Sequence, residues 1–231
     1  MVEYIPTFLG SDQLQRSVSV VVEPLDVVTS RRVAIPLEVR IKQLTANPQN
    51  NEPLATKPIT ALSGVYCFTD LKLAAGKYLV EVRTLDSDRG RYFDALQELD
   101  FTPVPIPNDL LKRNRVEVRL LPRPAYPFDS QSTLVRGRLV KDTNGSPIEG
   151  AEISLTLDTV DKGFWQRTDE RGEFVIFFPR TPPENTISAG LKDFKFQLEF
   201  KISSHAPHEI DEETVKEGTT KSIGEIRYPG T

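Results

Sequence analysis

The sequence predicts an all-β fold: two tandem antiparallel β-sandwich domains joined by a proline-rich linker. Three observations lead there. Period-two alternation of apolar and polar residues recurs in short bursts, sustained helical periodicity is nearly absent, and 18 prolines in 231 residues punctuate the bursts. Alternation of this kind places apolar side chains on one face of a strand and charges on the other, as a half-buried antiparallel strand requires.

In the first half, Val18, Val20 and Val22 alternate with Ser17, Ser19 and Val21, and Leu37, Val39 and Ile41 with Glu38, Arg40 and Lys42. Tyr78, Val80 and Val82 alternate with Leu79, Glu81 and Arg83. Val116, Val118 and Leu120 do so with Glu117, Arg119 and Leu121. Turns are expected at Asn47-Pro48, Asp86 to Gly90 and Pro103 to Asn108, and single helical turns at Asp94 to Glu98 and Asn108 to Arg113. In the second half, Val135, Gly137 and Leu139 form one strand face and Ile153, Leu155 and Leu157 another. Phe196, Leu198, Phe200 and Ile202 form a third. Asn144-Gly145 between strand-like runs is a tight-turn signal. Phe174 to Phe178 is apolar on both faces, which reads as a central strand covered on both sides. The alternative is a strand whose outer face meets a partner.

Residues 1–14 read as an N-terminal extension, 15–121 as the first sandwich, 122–131 as the linker and 132–231 as the second sandwich. Pro122, Pro124 and Pro127 stiffen the linker toward an extended form, and Tyr126 and Phe128 are expected to pack into the crease between domains. A weak repeat supports the division. The run SGVYCFTDLKLAAGKYLVEVR from Ser63 corresponds to ERGEFVIFFP from Glu170 with LKDFKFQLEFKI, and VEVRLLP corresponds to IGEIRYP.

The segment Val135 to Leu155 followed by Arg167 to Pro179 resembles the carboxypeptidase-regulatory-like, or transthyretin-like, β-sandwich. The residues that carry this are Gly137, then Gly145-Ser146-Pro147-Ile148-Glu149-Gly150-Ala151, then Thr168-Asp169-Glu170-Arg171-Gly172-Glu173-Phe174. Ser63-Gly64-Val65-Tyr66-Cys67-Phe68 with Gly76-Lys77-Tyr78 is similar to the same family's second signature. The physical expectation is structural: Asp169 caps a turn, Gly172 takes positive φ, and Phe174 points into the core. At the level of whole-chain architecture, two such sandwiches joined by PRPAYPF also resemble accessory proteins of phage-tail-like contractile injection systems, which cap the tube end or decorate the baseplate. That resemblance implies tube, sheath or baseplate proteins as partners and a cyclic homo-oligomer within a bacterial particle.

The chemistry is sparse. The net charge is −4, which argues against a nucleic-acid binder. The N-terminus has no signal pattern and no run reaches the length of a membrane helix, so a cytoplasmic setting without membrane insertion is expected. Cys67 stands alone, within an apolar strand run, and reads as a buried inert thiol. His205 and His208, beside Glu209, Asp211, Glu212 and Glu213, form the one ligand-type cluster, and a solvated acidic loop is the preferred reading of it. Neither a G-x-S-x-G elbow nor a glycine-rich phosphate loop occurs. No cofactor, metal or catalytic residue is assigned. A non-catalytic structural protein that binds other protein subunits is the leading expectation, with Arg123, Tyr126, Phe128, Phe164 and Trp165 as candidate partner or interdomain contacts. The alternative is a carbohydrate- or small-ligand-binding module using Phe164 and Trp165, although Trp165 reads more readily as core.

Overall fold

A computed structural model describes residues 18–44, 54, 57–60, 64–69, 71–85, 90–103, 114–157, 160–178, 193–203 and 205–229, with residues 160–164 by backbone alone. The N-terminal extension, the turns at Asn47-Pro48 and within 104–108, the helical turn at Asn108 to Arg113, most of Asp86 to Gly90, and Pro179 lie outside the described residues.

The described chain is all-β. Its strands are β1 (Val18–Asp26), β2 (Arg31–Arg32), β3 (Leu37–Gln43), β4 (Ile59–Thr60), β5 (Tyr66–Thr69), β6 (Gly76–Thr84), β7 (Ala95–Phe101) and β8 (Arg115–Leu120) in the first half. In the second half they are β9 (Thr133–Lys141), β10 (Glu152–Leu157), β11 (Val160–Arg167), β12 (Glu173–Phe178), β13 (Asp193–Lys201), β14 (His208–Glu209), β15 (Glu213–Lys216) and β16 (Thr220–Tyr228). Contacts divide the chain into two compact units. Unit 1 holds Met1–Pro24, Val39–Val82 and Leu96–Val118. Unit 2 holds Leu25–Glu38, Arg83–Ala95 and Arg119–Thr231.

The first half forms a sheet of order β2-β1-β5-β4, with β8 also paired to β1, and a second sheet of order β3-β6-β7. Alternation predicts β3 and β8 well: Leu37, Val39 and Ile41, and Val116, Val118 and Leu120, are buried. It misplaces one face of β1. Ser19 and Val21, read as outward, are buried like Val20 and Val22, and so is Glu23 on the same face. Polar partners make that burial affordable. The Ser19 hydroxyl accepts the Leu71 amide at 2.9 Å, the Val21 amide donates to the Asn114 carbonyl at 3.0 Å, and Arg115 Nε donates to Glu23 Oε2 at 2.6 Å. The helical turn expected at Asp94 to Glu98 is instead the start of β7, in which Leu99 and Phe101 are buried. A single helical turn cannot hold itself, whereas pairing with β6 satisfies the backbone and buries both side chains. Cys67 is half-buried rather than buried, because Tyr66 and Phe68 on either side of it take the inward face of β5.

The second half packs a sheet of order β12-β9-β16 on one of order β11-β10-β13-β14, with β15 also on β13. Between them lie Val135 and Leu139 of β9, Ile153 and Leu155 of β10, Phe174, Ile176 and Phe178 of β12, Phe196, Leu198 and Phe200 of β13, and Tyr228 of β16. Antiparallel pairing gives way at one place: β16 runs parallel to β9, with Thr220 opposite Leu134 and Tyr228 opposite Lys141. The apolar strand β12 is not central, as the sequence suggests, but ends its sheet. Its outer face is nevertheless covered by the chain itself. The Phe128 ring lies 6.0 Å from Phe177 at 24°, and the Gln166 amide donates to the Val175 carbonyl at 3.3 Å.

The turn into β12 is built as its residues dictate. Asp169 Oδ1 accepts the amides of Arg171 and Glu173 at 2.9 and 2.8 Å, Gly172 has φ 72°, and Phe174 is buried. A Cβ on Gly172 would meet the Leu139 carbonyl oxygen at 2.3 Å, so the glycine is needed for space as well as conformation.

Candidate functional site

Unit 2 concentrates the polar chemistry of the described residues. At its heart is Asp26, only 5% exposed, at the end of β1. The chain turns there through Val27 to Ser30, and Asp26 Oδ1 accepts the Val28 amide at 2.7 Å, closing the turn. Ser30 ends the turn at φ 54°. The other carboxylate oxygen, Oδ2, accepts the hydroxyls of Tyr92 at 3.0 Å and Tyr126 at 2.5 Å. Burial, and then the Asp26 charge, push the Tyr92 hydroxyl far above its ordinary range. Burial, and then the hydrogen bond to Asp26, push Tyr126 up to about 12. Both phenols therefore stay protonated and serve as donors to one carboxylate.

Aromatic contacts continue outward from this knot. Tyr92 meets Tyr126 at 5.4 Å, Tyr126 meets Phe128 at 4.7 Å, and Phe128 stacks on Phe177. The Arg136 guanidinium sits 5.6 Å from the Phe128 ring centre and donates to the Pro124 carbonyl at 2.7 Å. Gln166 donates to the Pro122 carbonyl at 2.8 Å, and the Arg123 amide to the Arg91 carbonyl at 2.8 Å. Every second residue of the 122–128 run is thus tied down by a side chain or a backbone bond.

Two hollows flank the run. The larger, an open groove of about 1180 Å³, is lined by Arg83, Arg123, Arg136, Arg167 and Arg171 together with acidic residues. Among the described residues, four of these five cations, all but Arg171, have partners within the chain. Arg123 pairs with Glu170, Arg167 donates to the Asp94 carbonyl, and Arg83 lies 3.9 Å from the Asp94 carboxylate. The Phe93 ring takes both Arg123 and Arg167, at 5.1 and 4.8 Å. Burial lowers the pKa of Arg167 and of Arg136 from the usual guanidinium value, with Asp94 and Glu173 respectively opposing the shift. The smaller hollow, about 450 Å³, lies on the Tyr126 side against Phe177 and Phe178.

The candidate residues of the sequence fall unevenly. Arg123, Tyr126 and Phe128 come together in unit 2 with the contacts given above. Trp165 is half-buried and packs against the second core, while the Phe164 side chain lies outside the described residues. The rings of His205 and His208 stand edge-on to Tyr228 at 6.1 and 5.7 Å. Among the described residues, no three His, Cys, Asp or Glu side chains gather as metal ligands would. Asp26, Tyr92, Phe93 and Arg167 were not singled out by sequence. Asp26 stands 66 residues from Tyr92 and 100 from Tyr126, so no spacing announces the knot.

No protein-family model and no curated protein matches the chain. Solved structures similar to it include the shaft pilin SpaA from Lactobacillus rhamnosus GG, at 10% identity and a TM-score of 0.29, covering 91% of this chain and 96% of that one. A streptococcal ancillary pilin matches at 10% identity and 0.28, covering 94% and 64%. GBS52, the minor pilin of Streptococcus agalactiae, matches at 11% and 0.24, covering 92% and 99%. At such scores the likeness carries no weight in the functional reading.

Proposed function

We propose that the chain is a non-catalytic structural protein that binds other protein subunits. The observation that carries this reading is a contrast between two sheet edges. β16 is blunted: Gly224, at φ 72°, sits where its register against β9 shifts, and Lys221, Glu225 and Arg227 charge the strand. β7 ends the sheet β3-β6-β7 with seven residues in strand form, and its Leu96 is 61% exposed, the most exposed large apolar side chain among the described residues. An edge strand of this length with an exposed apolar side chain suits strand addition by a partner, whose own charges would have to complement Glu98 and Asp100. The engaged charges of the unit 2 groove accord with a bracing role for that region.

Cross-linking mass spectrometry on the assembly purified from its native source tests the reading. Intermolecular cross-links are expected at Lys77, whose ammonium lies 3.6 Å from Glu98 of β7, and Leu96→Glu is expected to abolish them. A native preparation that runs as free monomer with no stoichiometric partner overturns it. In the finer form drawn from the sequence resemblance, the sandwiches are transthyretin-like, the partners are tube, sheath or baseplate subunits of a contractile injection particle, and the chain caps the tube end as a ring. Purified particles lacking this polypeptide remove that form and leave the coarser one standing.

A further inference from the structure

We propose that the smaller hollow of unit 2 is a binding site for a neutral sugar or similar polyol, separate from any subunit contact at β7. Its volume of about 450 Å³ falls within the range of about 300–1,000 Å³ usual for small-ligand sites. Tyr126 and Phe177 supply its aromatic lining, and Thr29, Asp129 and Ser132 its polar groups. The aromatic part is held in place: one neighbour of Phe177 is the stacked Phe128 ring, and Tyr126 is anchored through its hydroxyl to Asp26. A ligand therefore meets a preformed surface and gives up little to order it.

The polar groups have capacity to spare. Asp129 Oδ1 accepts the Gln131 amide at 2.8 Å, which leaves Oδ2 for a hydroxyl donor among the described residues. The Ser132 amide donates to the Asp129 carbonyl at 2.9 Å, while the Ser132 hydroxyl makes no hydrogen bond among the described residues.

Elimination then narrows the ligand. No cation lines the hollow and Asp129 is its one charged residue, so an anion has nothing to pair with. One carboxylate is too few for a metal ion. A wholly apolar ligand would strip water from Asp129, Ser132 and Thr29 without replacing their hydrogen bonds. A ring with an apolar C–H face for the aromatics and hydroxyls at its edge satisfies both halves of the lining.

The test is a nuclear magnetic resonance titration of the full chain with methyl β-D-glucopyranoside, cellobiose, maltose and N-acetylglucosamine. At least one is expected to shift resonances of Thr29, Asp129, Ser132 and Phe177 saturably, with a Kd on the order of 1 mM. Asp129→Asn keeps the acceptor for the Gln131 amide but removes the charge, and is expected to weaken binding about fivefold with an unchanged melting temperature. Ser132→Phe fills the hollow and is expected to abolish binding. The proposal is overturned if no sugar perturbs these residues, if Ser132→Phe binds as tightly as the parent, or if cyclohexanol binds as tightly as the best sugar.

Discussion

The two halves of the chain route their strands along one path and fill its middle differently. In the first half the path gives β5-β1-β8 and β3-β6-β7. In the second it gives β12-β9-β16 and, in the same sense, β10-β13-β15. The segments whose sequences correspond sit at matching places: Ser63 to Arg83 spans β5 and β6, while Glu170 to Phe178 and Asp193 to Lys201 form β12 and β13. The central strand of the first path, β1, carries buried Ser19 and Glu23, each with a hydrogen-bonded partner. The central strand of the second, β9, carries Gly137, over which Phe174 and Ile223 close. A central strand of this path can therefore bury polar side chains on its second face when each has a partner, or carry a glycine beneath an aromatic ring. What the path demands is that each inward position be filled, by volume or by hydrogen bonds.

The largest expected effect breaks the comparison at its cores. Phe174 and Phe68 are both essentially unexposed, on β12 and β5, which are equivalent strands. Phe174→Ala leaves its hole among other rings, with Phe200 5.3 Å away, and is expected to cost about 3–5 kcal/mol. Phe68→Ala is expected to fall at the low end of that range, because the aliphatic neighbours of β1 can close on the space. Urea unfolding of both variants, followed by tryptophan fluorescence for the half that contains Trp165, measures the difference. Equal losses would mean that the cores are alike in their ability to relax.

The next effect bears on Asp26, which has no counterpart at the end of β9. Asp26→Ala removes the acceptor of two phenols, of which Tyr92 is buried, and is expected to cost roughly 1–3 kcal/mol. The same knot sets an alkaline limit. Both phenols have raised values when folded, so the unfolded chain loses its tyrosine protons first, from near pH 10, and stability falls as pH rises from there to about 12. Circular dichroism against pH is expected to show an alkaline transition that Tyr126→Phe moves upward. No movement would mean that the phenols are not what fails.

How much of this was legible follows from the range of the interactions. Strand faces such as Leu37, Val39 and Ile41 depend on local alternation and could be read directly. So could the Asp169 to Phe174 turn, whose cap, glycine and inward ring lie within six residues. Local alternation does not reveal the second buried face of β1, because Ser19 and Glu23 bond Leu71 and Arg115, 52 and 92 residues away. The sequence points to a central β12 because the strand's outward side chains are apolar, and it holds no sign that Phe128 covers Phe177. The hollow beside Tyr126 draws on Thr29, Ser132 and Phe177, which only the fold brings together.

A smaller effect sharpens the contrast of central strands. A Cβ on Gly137 would lie 2.6 Å from Phe174 Cζ and 2.9 Å from Ile223 Cγ1, and the Phe174 ring is locked in the core. Gly137→Ala is expected to cost about 1–3 kcal/mol by overpacking. In the double variant with Phe174→Leu the penalty is expected to shrink, since the smaller side chain vacates the position the methyl needs. Additive losses in that cycle, read from denaturant midpoints, would place the cost in the backbone instead.

The smallest expected effect compares two ion pairs. Arg115 and Glu23 meet in the first half with the Glu23 side chain 4% exposed, whereas Arg123 pairs with Glu170 in the second with the Glu170 side chain 57% exposed. Water can replace either partner of the second pair, and salt screens it, so Glu170→Gln is expected to change stability by about 1 kcal/mol or less. Glu23→Gln leaves a guanidinium facing a buried neutral amide, and should cost more. Repeating both measurements in 0.1 and 1 M sodium chloride separates the cases: the Glu170 effect should fade with salt while the Glu23 effect persists. If Glu170→Gln proves the costlier and is insensitive to salt, then Arg123 holds the 122–128 run through that carboxylate more than through its own backbone bond to Arg91.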